Sequence, residues 1–516
     1  MLGERDPEGG LFRAATQLGP TVVARLGFYG RLAREGLQLF GDADFAGAYC
    51  AGNGRPSVPP SLLAMARLLQ HYEGISDAEV VERCRYDLRW KVALDLDLAS
   101  VEAPFAKSTF QAFRVRLTVH QREGLAFEGS VKAASAAGLL PPRLRVALDS
   151  SPVRGRGAVK DTFNLLSDAI AAVVRTVARR QGAPARVVAR AAGLARHVEA
   201  ASIKGAVAID WDDAQAVSCF LDSLLADAGR AVILAGQAGC ATDEVALLGK
   251  VIAQDVQRST PGGPPSIRQG VTPDRTVSVH DPEARHGRKS NGKSYNGHKA
   301  HLAVEVTSGV ITAVAVTAPA EADGAQVGSL LAQAERLSGR PVEQAIGDTA
   351  YSTRAALAQA SEATVELVTK MPSPPQGRHG PDAFQVSPDG RTAQCPAGVA
   401  SAKLKHRGEG YLHAWPPGHC AACPLKPACT KAARRTLLVP PDFHERRRRE
   451  RYAHSQEGRT LLRQRITVEH GLGRLKNLGA GAARYLGRAK TQSQWLWTAA
   501  AANLSLIWGK QAAMTT

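Results

Sequence analysis

Apolar residues recur at helical spacing through roughly the first 140 positions. Between Ser61 and Tyr72, Leu62, Leu63, Met65, Leu68 and Leu69 mark a helix, and Pro59 and Pro60 stand where a helix starts well. After Gly74-Ile75-Ser76-Asp77 a second helix is predicted from Ala78 to Lys91, with Ser76 as its cap and Glu79 completing a capping box. A third runs from Ser108 to Leu117. Three short helices, a glycine-containing turn and the arginines 83, 85, 89, 114 and 116 have the pattern of a helix-turn-helix module, although small helical bundles are common.

The pattern changes at Leu144. Leu144 to Asp149 is a short apolar strand that ends on a carboxylate. A long helical stretch follows, roughly Asp161 to Val256, and then a Gly/Pro loop at Thr260 to Pro265. Asp281 to Lys299 reads as a basic polar loop. Strands are predicted at Ala300 to Glu305 and Val310 to Thr317, joined by a turn at Thr307-Ser308-Gly309. A helix from Gly324 to Leu337 leads to a strand at Val342 to Ile346, which ends at Gly347-Asp348, and Tyr351 to Glu362 is again helical. From Met371 to about Thr430 the chain is rich in Pro, Gly and Cys and has no clear period. Beyond Arg435 it is basic and helical, including Arg446 to Arg449, and an apolar helix is predicted from Ser493 to Trp508.

Charge changes the picture. The 516 residues carry 65 Lys and Arg against 47 Asp and Glu, a net charge of +18, and such an excess attracts phosphate backbones. No apolar run reaches the ~20 residues of a membrane span, and the opening MLGERDPEGG has no apolar signal core. A cytoplasmic protein is expected, its eight cysteines reduced or metal-bound rather than paired. Cys50, Cys84, Cys219 and Cys240 read as small buried hydrophobes.

Two strand ends place carboxylates, Asp149 and Asp348, where a fold can hold them rigidly. On a third element Arg465, Glu469 and Lys476 fall on one helical stripe, with Glu469 about 40° and Lys476 about 20° from Arg465. A carboxylate between two cations suits a site that handles phosphates. Cleaving a phosphodiester in line needs an activated nucleophile and a stabilised leaving oxygen, which two divalent ions on carboxylates provide. Spacing alone does not select this trio over Asp210, Asp212 and Asp213, which look like a solvated helix start. Cys395, Cys420, Cys423 and Cys429 lie in a segment with little core, and four thiolates there suit a structural zinc. The alternative is four unrelated free thiols.

Several blocks, in order, carry a resemblance. The stretch 54–96 (GRPSVPPSLLAMARLLQHYEGISDAEVVERCRYDLRWKVALDL) and STFQAFRVRL at 108–117 come first. VALDSSPVRGRG at 146–157 and DPEARHGRKSNGKSYNGHKAHLAVEV at 281–306 follow, then AIGDTAYST at 345–353 and Arg465-x3-Glu469-x6-Lys476. The chain thereby resembles bacterial insertion-sequence transposases with an RNase H-like DDE domain. The resemblance implies an α/β RNase H-like catalytic domain at 141–516 behind an all-helical DNA-binding domain at 1–140. It implies a helical insertion at 161–275 and a Cys-rich insertion at 371–435. Asp149, Asp348 and Glu469 would hold two Mg²⁺ or Mn²⁺ ions, and Arg465 and Lys476 would grip DNA. The implied partners are double-stranded DNA, as terminal inverted repeats and target, and a second copy of the chain at the nucleoid. The family signature Y-x2-R-x3-E-x6-K has Leu462 at its Tyr position here. A recruited or decayed relative that only binds DNA is the alternative.

Overall fold

The structure, a computed structural model, describes residues 1–5, 13–50, 52, 54–260, 262–270, 272–290, 292–371 and 376–515. Its centre is a six-stranded mixed sheet: β1 (Leu144–Arg154), β2 (Arg285–Ser290), β3 (Lys293–Glu305), β4 (Ile311–Thr317), β5 (Val342–Gly347) and β6 (Glu366–Thr369). β1 lies in the middle, antiparallel to β3 from Val146↔Glu305 to Arg154↔Gly297 and parallel to β5 through Ala147↔Ile346. β2 and β4 share the far edge of β3, and β6 runs parallel outside β5. Leu144, Val146, Ala147 and Leu148 are all buried, as a strand covered on both faces requires.

β1 runs five residues past Asp149, through Pro152 to Arg154. The segment 281–299, read as a loop, instead supplies β2 and the first half of β3. Beyond Gly297 this hairpin has left β1 behind, so no neighbouring strand imposes apolar alternation on it, and Arg288, Lys289 and Lys293 are exposed. The predicted helix from Ala78 to Lys91 is two helices, Asp77–Tyr86 and Leu88–Leu94. Asp87 breaks it by accepting the Arg89 N–H at 2.9 Å and capping the second. The capping box of Ser76 and Glu79 is formed on the first.

The early helices and the sheet share one hydrophobic core. The long helix Arg488–Thr515 joins them, packing on Pro60–Glu73, on Leu125–Ala136 and on β4. Its polar side chains find partners on both sides: Ser493 accepts from Arg67 at 2.9 Å and Thr498 meets His71 at 3.0 Å. Asn503 both donates to and accepts from the Ile311 backbone. The predicted stretch 161–256 is five helices. Three of them, Thr162–Gln181, Ala214–Ala238 and Thr242–Asp255, pack round a second core that includes Phe163, Ile170, Val173, Leu221 and Val251. Within it His197 bridges Ser167 (2.8 Å) and Asp227 (2.6 Å), a buried polar group satisfied on both ring nitrogens.

Candidate active site

The register of the sheet brings the two aspartates together. Ala147 pairs with Ile346 on parallel strands, and two residues further along each chain stand Asp149 and Asp348. The third carboxylate comes from the helix Ile466–Asn477, which packs on β1 and β3. Val468, Leu472 and Leu475 face the sheet and leave Glu469 exposed in its first turn. Arg465 is the residue before that helix rather than part of it. Its Nη1 donates to Asp149 Oδ2 at 3.0 Å and its Nη2 to Glu469 Oε1.

Both aspartates are oriented by the backbone. Asp149 Oδ1 accepts the Ser150 N–H at 2.8 Å, and Asp348 Oδ1 accepts the Ala350 N–H at 2.8 Å. Burial pushes the Asp149 carboxyl above its ordinary range. The Ser150 N–H and Arg465 oppose this, while Asp348 and Glu469 add to it. Arg465 thus stands between two of the three carboxylates, Asp149 and Glu469, and Asp348 is near enough to act electrostatically on Asp149. This oxygen-only, negatively charged set fits a hard divalent cation. Among the described residues no group of three or more His, Cys, Asp or Glu side chains is spaced to hold a metal ion. Here the guanidinium joins Asp149 and Glu469, where shared ligands would have to converge. Lys476 is exposed at the end of the same helix, and partial burial and Lys289 lower its pKa while Asp149 raises it.

Behind Asp149 lies a group that sequence reasoning missed. The Ser150 hydroxyl donates to Asp323 Oδ2 at 2.9 Å, and Lys299 Nζ donates to Asp323 Oδ1 at 2.9 Å. The available signal was slight: Asp323 precedes a helix start and reads as a cap. Tyr351, one turn after Asp348, is fully buried, and its hydroxyl has no hydrogen-bond partner among the described residues. Burial first, then Asp323, Asp149 and Asp348, holds that phenol well above its ordinary pKa. Leu462, at the signature Tyr position, packs instead on the apolar cluster of Ile346, Val368 and Leu461.

Cys395, Cys420, Cys423 and Cys429 all line one cavity of about 240 Å³ and form no disulfide. It lies against a small apolar cluster of Phe384, Ala393, Trp415, Leu437, Val439 and Phe443. The segment is therefore less loop-like than its composition suggests. It carries a three-stranded sheet, Lys403–Arg407, Gly410–Ala414 and Thr436–Val439. Of the other cysteines Cys84 is buried, Cys240 is half-buried, and Cys50 and Cys219 are exposed, so only one is the buried hydrophobe expected of all four.

Many of the arginines are engaged internally. Arg114 pairs with Asp77, Arg83 with Glu73 and Asp87, Arg85 with Glu82 and Arg89 with Asp87, while Arg116 stacks on Tyr49. On the helix Phe443–His454, Arg447 pairs with Glu450 and Arg449 with Glu445.

Three family comparisons cover most of this architecture. A Transposase domain (DUF772) matches residues 34–116. One Transposase DDE domain matches residues 269–393, and a second, distinct Transposase DDE domain matches residues 394–508. DDE domains carry an RNase H-like fold, and the mixed sheet with helices before it agrees with that. No curated protein and no solved structure matches the chain. Among the described residues no helix is long and apolar enough to cross a membrane.

Proposed function

We propose, for a chain that belongs to the DDE transposases of insertion sequences, that it binds the ends of its element, cuts the DNA there and joins the freed 3′-hydroxyl to target DNA. The observation that carries this reading is that Asp149 and Asp348 each stand two residues beyond the Ala147↔Ile346 pair of adjoining parallel strands, with Glu469 bridged to Asp149 by Arg465. The three carboxylates are the metal ligands in this reading. Bound there, two Mg²⁺ or Mn²⁺ ions would activate the attacking oxygen and stabilise the leaving one.

The remaining roles fall to side chains of the chain itself. Arg465 would exchange its two carboxylates for a backbone phosphate, which its planar fork fits. Lys476, exposed on the helix that carries Glu469, would hold the next stretch of backbone. The basic helix with Arg446 to Arg449 would contact phosphates without reading sequence, and helices within residues 60–120 would recognise the inverted repeats. A homodimer at the nucleoid of a bacterial cytoplasm is part of the same reading. So is a structural zinc on Cys395, Cys420, Cys423 and Cys429, supported by their common cavity.

Asp149→Asn tests the centre of the proposal. End cleavage in Mg²⁺ is expected to fall below detection while binding to end-bearing duplex stays within a few-fold of the parent chain. Cleavage at the parental rate would remove Asp149 from the site.

A further inference from the structure

Asp149 and Ser150 are neighbours on β1, so their side chains leave opposite faces of the sheet. Ser150 therefore touches both sides. Its N–H donates to Asp149 Oδ1 at 2.8 Å on one face, and its hydroxyl donates to Asp323 Oδ2 at 2.9 Å on the other. Asp323 is itself anchored. Its Oδ1 accepts from Lys299 Nζ at 2.9 Å, and Lys299 also donates to the Glu321 carbonyl at 2.7 Å. The pair is largely enclosed, with side-chain exposures of 16% for Lys299 and 15% for Asp323.

Lys299 pairs with Asp323 as a cation. The His301 ring lies 4.0 Å away and hydrogen-bonds Thr317 at 2.9 Å. Burial holds its pKa down to about 4, so the ring is neutral at pH 7. Asp323 is thus paired with a cation and spoken for on both oxygens. That is unlike a further ligand and like a fixed post.

We infer that Asp323 is a positioning residue for Asp149, acting through Ser150. The inference rests on the reading of Asp149 as a metal ligand. Two partners orient the Asp149 carboxylate, the Ser150 N–H and Arg465. Once Arg465 turns to a phosphate, the Ser150 N–H alone sets the angle at which the carboxylate is presented. The Ser150 hydroxyl, pinned by Asp323, sets the angle of that N–H. Groups that orient a ligand in this way are commonly worth about 10- to 100-fold in metal affinity.

The probe is Mn²⁺ binding to the full chain without DNA, followed by electron paramagnetic resonance, alongside the Mn²⁺ concentration that half-saturates end cleavage. Ser150→Ala cuts the link and leaves the Asp323–Lys299 pair whole. It is expected to weaken Mn²⁺ binding about 10- to 100-fold and to raise the half-saturating concentration in the same ratio. Ser150→Thr, which keeps a hydroxyl, should bind like the parent. Asp323→Ala should weaken binding as Ser150→Ala does. Should stranded Lys299 unfold that variant, the serine pair decides. Ser150→Ala binding Mn²⁺ within twofold of the parent overturns the inference, whatever its effect on melting. A parent chain that binds no Mn²⁺ sinks the metal reading of Asp149 first, and this inference with it, so the two failures look different.

Discussion

Gly347 hands the chain from β5 to Asp348, and a methyl group there would lie 2.7 Å from the Cβ of Tyr351. That is closer than real Cβ contacts come, and both residues are buried, so one of them must move. Gly347→Ala is expected to cost about 1–3 kcal/mol through overpacking. It should also lower end cleavage beyond what the lost stability explains, because the turn that shifts is the one presenting Asp348. Urea denaturation and single-turnover cleavage, measured together, check this. A variant as stable and as fast as the parent would show that the ring yields freely. The same crowding locks Tyr351 in place, where its hydroxyl is close enough to feel Asp323, Asp149 and Asp348.

The Cys-rich unit has a few buried apolar residues, Trp415 and Phe384 the largest, and four thiols round one cavity. So small a cluster gains from a staple. Elemental analysis of the purified chain is expected to find one zinc per chain, and Cys423→Ser to lose it along with some thermal stability. No zinc in the parent would leave four free thiols. Elements such as this divide what the sequence made legible from what it hid. The helix Pro60–Glu73 was plain because its apolar residues recur at helical spacing behind two prolines, and Asp149 and Asp348 stood out because each closes an apolar run. The break at Asp87 was hidden, since capping by one side chain leaves no trace in apolar spacing. The hairpin of β2 and β3 was hidden because a strand pair wetted on its outer half shows no alternation. Ser150 and Asp323 lie 173 residues apart, and only the folded register reveals that they meet.

At the scale of the whole molecule the two largest apolar cores among the described residues are one shared by the early helices and the sheet and one enclosed by the helices between Thr162 and Asp255. Trp497 sits in the first, with the Phe40 ring stacked at 6.0 Å and the Arg67 guanidinium 5.0 Å from its centre. Trp497→Ala is expected to cost about 3–5 kcal/mol. Amide exchange should quicken together in Pro60–Glu73 and in β1, while Thr162–Gln181 keeps its protection. Faster exchange in the early helices alone would mean that the two layers open separately. The long helix Arg488–Thr515 also sets an order in time. About 350 residues separate Ala136 from Arg488, so at ~5–20 residues per second the early helices wait roughly 20–70 s on the ribosome for the element that closes their core. A chain released before that point exposes the apolar faces of Pro60–Glu73 and Leu125–Ala136, a target for chaperones and proteases, so translation must run past Glu469 and on through this helix before a competent nuclease can exist.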